Sequence, residues 1–221
     1  MERVRVKICC MASLEEARLA IAAGADALGL IGPMPSGPGP IDDELIATIA
    51  PAVPPPVATF LLTSETGTDA ILDHVRRCRT NTVQLVDHIA PEVYPRLRAA
   101  LPAVRLVQVI HVTGPEALDQ ARAAAPLVDA LLLDSGQPHA AVRVLGGTGR
   151  THDWRISRAI VERVPCPVFL AGGLRADNVA EAIRAVRPFA VDVCPGVRSD
   201  GRLDPGKLQA FMAAVRAAHP C

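Results

Sequence analysis

The stretch VFLAGGLRADNVAEAIRAV, from Val168 to Val186, shows in 19 residues how the whole chain is built. Its apolar run Val168–Ala171 predicts a buried strand, because the run is short, continuous and followed at once by glycine. Gly172-Gly173 ends that strand, and the segment Arg175–Val186 then repeats its apolar residues with the period of a helix. A strand followed by a helix is the unit from which parallel sheets are built.

The same unit occurs eight times along the chain. The predicted strands are Val4–Cys9, Ala27–Ile31, Val57–Leu62, Thr82–Val86, Arg105–Ile110, Ala130–Asp134, Val168–Ala171 and Val191–Cys194. The predicted helices are Leu14–Ala23, Asp43–Ala50, Thr68–Arg79, Pro91–Ala100, Pro115–Ala124, Trp154–Val164, Arg175–Val186 and Pro205–Ala217. Eight such units predict an α/β fold, a single (β/α)8 barrel domain spanning residues 1–221. The alternative is an open doubly wound sheet, because periodicity does not report closure.

Composition excludes several classes of partner. The 23 basic side chains balance 23 acidic ones, so no net field favours nucleic acid or an anionic membrane. Only 3% of the residues are aromatic, which leaves little for a surface that stacks single-stranded bases. The sequence has no apolar run of about 18 residues and no signal-peptide pattern at Met1-Glu2-Arg3-Val4, so we expect a cytoplasmic protein.

The six cysteines, at positions 9, 10, 78, 166, 194 and 221, form no C-x-x-C pair and no zinc-type spacing with histidine. We therefore expect neither a disulfide framework nor a metal site. Several helices begin with a recognisable capping residue: Ser13 with Glu16 forms a capping box, and Asp153 and Asp204 are candidate N-caps.

Two loops are unusual. The segment Gly32–Pro40 is too rich in proline and glycine for a helix or strand, and Ser135–His152 is the longest connection in the chain. Both follow strands, so in a barrel both overhang the C-terminal face, where active sites are built. The alternative is that they are simple solvent-exposed loops.

Cys9 and Asp134 end the first and sixth predicted strands, so barrel geometry directs both toward the same rim. A deprotonated thiol can act as a base and a protonated carboxyl as an acid, which divides a proton transfer between them. Lys7 shares the strand face of Cys9 and would favour the thiolate. The alternatives are a packed cysteine and an aspartate that caps a loop.

Glycines provide a second group of candidate residues. Gly146-Gly147-Thr148-Gly149 lies in the sixth loop, Gly172-Gly173 follows the seventh strand and Gly196 follows the eighth. Loops after the last two strands of such barrels commonly bind phosphate through closely approaching backbone N–H groups. This placement predicts a phosphate site, although each glycine alone is also typical of an ordinary turn.

Several motifs together resemble phosphoribosylanthranilate isomerase of tryptophan biosynthesis. They are VKIC at Val6–Cys9, AGADALGLI at Ala23–Ile31, QL at Gln84–Leu85, LLLD at Leu131–Asp134, GGTGRTHDW at Gly146–Trp154, LAGGLRADNVAEAI at Leu170–Ile183 and VDV-x-x-GV at Val191–Val197. They occur in the family order across nearly the whole chain. The resemblance implies a (β/α)8 barrel and a cofactor-free Amadori rearrangement, without metal, of an aminoaldose phosphate.

By that resemblance, Asp134 is the general acid that opens the ribose ring, and Cys9 is the general base that removes the C2 proton. The substrate is a small phosphosugar. The residues we assign to substrate and phosphate binding are Lys7, Gln84, Gly147, Gly149, Gly172, Gly173 and Gly196.

The chain also departs from the family pattern. An arginine that helps bind the aromatic acid is missing from Pro35–Pro40, a glycine is replaced by Cys10, and a serine pair by Cys194-Pro195. A histidine-glycine pair becomes Val86-Asp87, and a glutamate becomes Arg198. We therefore expect weaker binding of the anthranilate part, unless a neighbouring arginine takes over that contact. The candidate replacements are Arg143, Arg150 and Arg198.

The leading interpretation is phosphoribosylanthranilate isomerase itself. The alternatives are a paralogue that isomerises a different aminated sugar phosphate, and a barrel that binds a phosphorylated ligand without turning it over. Retention of Cys9 and Asp134 argues against the last, because a binding protein needs neither an acid nor a base there. Sequence does not indicate the oligomeric state.

Overall fold

The computed structural model describes residues 3–35, 39–136 and 151–218. Its parallel strands pair in chain order and close into a barrel: β1 (Arg5–Ile8), β2 (Ala27–Ile31), β3 (Ala58–Thr63), β4 (Thr82–Leu85), β5 (Arg105–His111), β6 (Ala130–Asp134), β7 (Val168–Leu170) and β8 (Ala190–Val193). The barrel closes where β1 pairs with β8, with Arg5 opposite Ala190 and Ile8 opposite Val193. The predicted closed barrel is confirmed, and the open sheet is wrong.

A helix follows each strand in the described ranges: α1 (Leu14–Ala23), α2 (Asp43–Ile49), α3 (Thr68–Cys78), α4 (Val93–Ala100), α5 (Ala117–Ala124), α6 (Trp154–Val161), α7 (Val179–Val186) and α8 (Pro205–Ala217). None of these helices is long and apolar enough to cross a membrane. The largest error in a predicted start is at α7, which begins four residues after Arg175. The Arg175 N–H donates to Asn178 Oδ1 at 2.8 Å, which closes a turn before the helix begins.

The predicted N-caps are confirmed, with one difference. Ser13 Oγ accepts from the N–H of Glu16 at 3.1 Å, and the carboxylates of Asp153 and Asp204 accept from their own first turns. In the predicted capping box, however, the Glu16 carboxylate accepts from the N–H of Ala12. It also binds Arg198, which lies in a short hairpin formed by β9 (Arg198–Ser199) and β10 (Arg202–Leu203). Glu16 therefore ties α1 to the loop after β8.

Side chains on each strand alternate between two apolar cores. The outer core lies between the strands and the helices and includes Val6 and Ile8. The inner core fills the barrel; its members include Cys9, Ala27, Phe60, Val86, Val107, Val109, Ala130, Leu132, Phe169 and Ala190. Alternate residues of a strand share a face. His111 at the end of β5 and Asp134 at the end of β6 are therefore on the same inward face as the inner-core residues of their strands.

A disulfide joins Cys10 to Cys194, with their Cα atoms 5.9 Å apart. This bond corrects the expectation of a chain without disulfides. The two cysteines are 184 positions apart in sequence, so local spacing patterns cannot reveal them. They follow β1 and β8, which are neighbours because the barrel closes. In the described part of the chain, Cys9, Cys78 and Cys166 are free thiols.

Candidate active site

Cys9 lies inside the barrel directly after β1 and is 5% exposed. Its Sγ is 3.4 Å from the Nζ of Lys7, which projects from the same face of the strand. Gly29 of β2 makes room for the thiol, because a Cβ at position 29 would lie 2.5 Å from Cys9 Sγ. The sequence prediction that Lys7 and Cys9 share a face is therefore confirmed.

Lys7 is completely buried and forms an ion pair with Asp192 of β8, with Nζ and Oδ1 2.9 Å apart. Burial alone would lower the pKa of Lys7, but the Asp192 carboxylate raises it overall, so the ammonium stays charged. Lys7 Nζ also lies 5.3 Å from the centre of the Phe60 ring. Our sequence prediction missed Asp192. A charged residue in the middle of the apolar strand Ala190–Val193 was the available signal.

Burial raises the pKa of the Cys9 thiol to about 11. The Lys7 cation opposes this rise, whereas the negative charge of Asp192 adds to it. The expectation that Lys7 favours the thiolate has the right direction, but desolvation of the thiol is the larger effect. In the free protein Cys9 is therefore a protonated thiol at neutral pH.

Asp134 lies at the end of β6 and faces the barrel mouth. Its Oδ1 accepts from the backbone N–H of Ser135 at 2.7 Å. Burial raises the pKa of Asp134 despite that hydrogen bond, and Asp192 adds to the rise, while His111 and Lys7 oppose it. A raised pKa widens the pH range in which the carboxyl keeps a proton that it can donate.

Two further polar side chains face inward between these groups. Gln84 of β4 is 3% exposed, and its Oε1 has no hydrogen-bond partner among the described residues. His111 of β5 likewise has a buried Nδ1 without a partner in that part of the chain. Gln84 was predicted and His111 was missed, because nothing in the sequence separates His111 from a histidine at a loop. Buried polar atoms without partners are rare and indicate a ligand or water.

The glycines after β7 and β8 bring the two loops together. Gly172 and Gly173 have φ angles of +84° and +63°, in the left-handed region that favours glycine. A Cβ at Gly196 would lie 2.1 Å from the carbonyl oxygen of Leu174, so the two loops are in backbone contact there. The predicted Gly147 and Gly149 lie outside the described residues.

A separate polar cluster lies between α2 and α3. His74 lies 3.0 Å from Asp43 through Nε2 and 2.8 Å from Thr63 through Nδ1, and Arg77 binds the second oxygen of Asp43. The imidazole also packs against Gly32. A Cβ added at position 32 would lie 2.5 Å from the ring. The cluster therefore supports the start of the second loop rather than the barrel mouth.

Comparison with known proteins identifies the family. The family model for N-(5'phosphoribosyl)anthranilate (PRA) isomerase matches residues 6–214. The chain belongs to the N-(5'-phosphoribosyl)anthranilate isomerase family. It is 38% identical over 213 residues to the enzyme of Methanocella arvoryzae, covering 96% of this chain and 98% of that one. It is 39% identical over 216 residues to the Haloferax volcanii enzyme, covering 97% and 94%.

Solved structures of phosphoribosylanthranilate isomerases have the same fold. The Thermus thermophilus enzyme matches with a TM-score of 0.83 and 27% identity, covering 98% of this chain and 100% of that one. An enzyme in complex with reduced 1-(o-carboxyphenylamino)-1-deoxyribulose 5-phosphate matches with a TM-score of 0.80 and 28% identity, covering 97% and 99%. The chain is therefore an isomerase of tryptophan biosynthesis, as the leading interpretation predicted.

Three departures from the phosphoribosylanthranilate isomerase pattern lie together in space. Cys10 and Cys194 form the disulfide, and Gly39, in the loop that lacks the arginine, packs against Cys10. A Cβ at Gly39 would lie 2.8 Å from Cys10 Cβ, and the φ of Gly39 is +88°. An arginine at position 39 is therefore incompatible with this arrangement of the loop and the disulfide.

Arg198 is unsuited to replace the missing arginine. Its guanidinium donates to both carboxylate oxygens of Glu16, at 2.8 and 2.9 Å, and to the carbonyl of Cys10 at 2.9 Å. The other two candidates, Arg143 and Arg150, lie outside the described residues.

Proposed function

We propose that Asp134 is the general acid and Cys9 the general base in the isomerisation of N-(5'-phosphoribosyl)anthranilate to its 1-deoxyribulose phosphate. One observation supports this assignment above all. A half-buried carboxyl and a buried thiol face the same barrel mouth from the ends of β6 and β1. Burial raises the pKa of Asp134, which favours the protonated form that a general acid needs.

The reaction then proceeds in three steps. Asp134 protonates the ribose ring oxygen, and the furanose opens to a Schiff base. Cys9 removes the proton from C2 and leaves an enolamine. The enolamine tautomerises to the ketone. Protonation lets the bond between C1 and the ring oxygen break as the C1=N bond forms, and the later steps are proton transfers, which suits an acid and a base placed at facing strand ends.

Lys7 has a positioning role in this scheme. The thiol must lose its proton before it can act, and burial opposes that loss. Lys7 Nζ, 3.4 Å from Cys9 Sγ, is the cation that stabilises the thiolate when it forms. Asp192 keeps Lys7 in place and charged. Because Cys9 must be deprotonated and Asp134 protonated, kcat/KM should follow a bell-shaped curve with pH.

We also propose that the substrate phosphate binds at the loops after β7 and β8. The backbone contact between Gly196 and Leu174 and the left-handed backbone of Gly172 and Gly173 support this position. Gln84 supplies an acceptor for a ribose hydroxyl, because its buried Oε1 has no partner among the described residues.

A cytoplasmic location remains part of the proposal. The balanced charge and the absence of a membrane-spanning helix among the described residues are compatible with it. Reducing conditions in a cytoplasm oppose disulfides. Alkylation of cells before lysis, followed by mass spectrometry of Cys10 and Cys194, would establish whether the bond forms there.

Replacing Cys9 by Ala, or Asp134 by Asn, should each lower kcat by roughly 10²-fold or more, the usual contribution of a positioned acid or base. The measurement is steady-state turnover of phosphoribosylanthranilate. Cys166→Ala is the matched control, since that thiol precedes β7 at the opposite end of the barrel. Turnover within threefold of the parent protein in either test variant would remove that residue from the mechanism.

A further inference from the structure

His111 stands beside the proposed acid. It is the last residue of β5 and lies opposite Asp134 in the register of β5 with β6. The N–H of Val112 donates to the carbonyl of Asp134 at 2.8 Å, so the two strand ends are held together. His111 follows Val107 and Val109 on the inward face. The imidazole and the carboxyl are thus neighbours at the mouth.

The two ring nitrogens of His111 have different surroundings. Nε2 is 2.9 Å from the carbonyl oxygen of Val86, which can only accept, so Nε2 carries a hydrogen. Nδ1 is buried and has no hydrogen-bond partner among the described residues. In the neutral ring Nδ1 therefore holds a lone pair that no described residue uses. Leaving such an acceptor unpartnered is costly, which points to a role in the complex with substrate.

We propose that His111 reprotonates Asp134. In each turnover its Nδ1 collects a proton released by the substrate and donates it to the Asp134 carboxylate. The inference rests on the proposed acid and base roles of Asp134 and Cys9. His111 acts through Asp134 and is therefore a positioning and proton-relay residue.

The isomerisation leaves Asp134 to be reprotonated in every turnover, and the proton that His111 collects can do this. The ring oxygen gains a proton from Asp134, which leaves a carboxylate. Cys9 enters the cycle as a thiolate, after its own proton has passed to solvent. The thiolate takes the C2 proton and delivers it to C1, while the C2 hydroxyl loses its proton as the ketone forms. That proton passes to His111 Nδ1, giving an imidazolium still anchored by Nε2 to Val86. Nδ1 then donates it to Asp134, so acid, base and imidazole all regain their starting states.

The charges around the mouth favour this direction of transfer. On β1 and β8, Lys7 and Asp192 neutralise each other as an ion pair. Beyond β4, Asp87 accepts from the N–H of His88 at 2.8 Å through Oδ1. The register of β5 with β6 places Asp134 beside His111, so the Asp134 carboxylate, once it has donated its proton, stabilises an imidazolium at position 111.

The test compares two substitutions at this position. His111→Gln places an amide where Nε2–H stands and so preserves a donor for Val86, but it cannot carry a proton. We expect kcat to fall by roughly tenfold to a hundredfold, with KM changed less than twofold and an unchanged melting temperature. His111→Ala leaves a gap, and added imidazole should restore turnover in proportion to its concentration. His88→Gln, an exposed histidine near the same rim, is the matched control.

The outcomes separate this proposal from the one on which it rests. If Cys9→Ala and Asp134→Asn abolish turnover but His111→Gln stays within twofold of the parent, the relay is wrong and the acid and base assignments stand. If His111→Gln is slow but His111→Ala is not rescued by imidazole, the ring is merely structural and the relay is again wrong. If Asp134→Asn retains full turnover, the acid assignment fails, whatever the histidine variants do.

Discussion

The two sides of the barrel mouth differ in how their polar groups are held. On the side of β8 and β1, which carries Cys9, the groups are paired within the protein: Lys7 with Asp192, Arg198 with Glu16, and Cys10 with Cys194. On the side of β4 to β6, which carries Asp134, buried atoms of Gln84 and His111 lack partners among the described residues.

This difference suggests different roles: the side of β8 and β1 is preorganised, whereas the side of β4 to β6 binds the ligand. The side that holds the proposed base is built before substrate arrives, because its contacts are internal and buried. On the side that holds the proposed acid, we expect the ligand to complete the hydrogen bonds. Substitutions on the first side should therefore cost stability as well as activity, whereas substitutions on the second should mainly cost activity.

The largest stability effect is expected at the buried ion pair. Lys7→Met leaves the Asp192 carboxylate buried without its cation, and breaking such a pair typically costs about 3–5 kcal/mol of unfolding free energy. Urea denaturation followed by circular dichroism measures the loss. Adding Asp192→Leu to the same protein should restore much of the stability, because the uncompensated charge is then gone. If the Lys7→Met protein is as stable as its parent, the ion pair between Lys7 and Asp192 does not stabilise the side of β8 and β1.

Loss of the disulfide should have the second largest effect on the free energy of unfolding. Its removal by Cys10→Ser with Cys194→Ser frees a long loop in the unfolded chain, for which about 2–4 kcal/mol is typical. The comparison uses thermal unfolding of the oxidised protein, the reduced protein and the double variant. Reduction should have no effect on the double variant, which controls for other thiols. Equal stability of all three would mean that the bond does not support this side of the mouth.

Local sequence patterns predict some features of this structure but not others. The bounds of β2, β6, α1 and α8 match the predicted ones residue for residue, because short apolar runs and capping residues are local features. Cys9 and Asp134 were proposed because they end predicted strands, and the structure places Cys9 directly after β1 and Asp134 at the end of β6. The pairing of Cys10 with Cys194 depends on closure of the barrel, which brings distant positions together. The raised pKa of Cys9 depends on burial, which no residue pattern reports.

The smallest effect concerns the second loop. Gly39→Arg alone should fail to improve substrate binding, because its Cβ meets Cys10 and its φ is left-handed. In a protein that also carries Cys10→Gly and Cys194→Ser, the same arginine has room to reach the anthranilate carboxylate. KM for phosphoribosylanthranilate should then fall roughly tenfold relative to the Cys10→Gly, Cys194→Ser parent, as a charge-assisted hydrogen bond allows. An unchanged KM would mean that another group already holds that carboxylate.

The bond between Cys10 and Cys194 also changes the connectivity of the molecule. It joins positions near the two ends of the barrel sequence, so the segment between them is a closed covalent ring. A protease that cuts once within this ring produces a nicked chain whose two pieces stay attached through sulfur. They separate only when the disulfide is reduced as well. In the oxidised protein, a single cut in either of the long loops after β2 and β6 leaves every strand of the barrel on one covalently connected molecule.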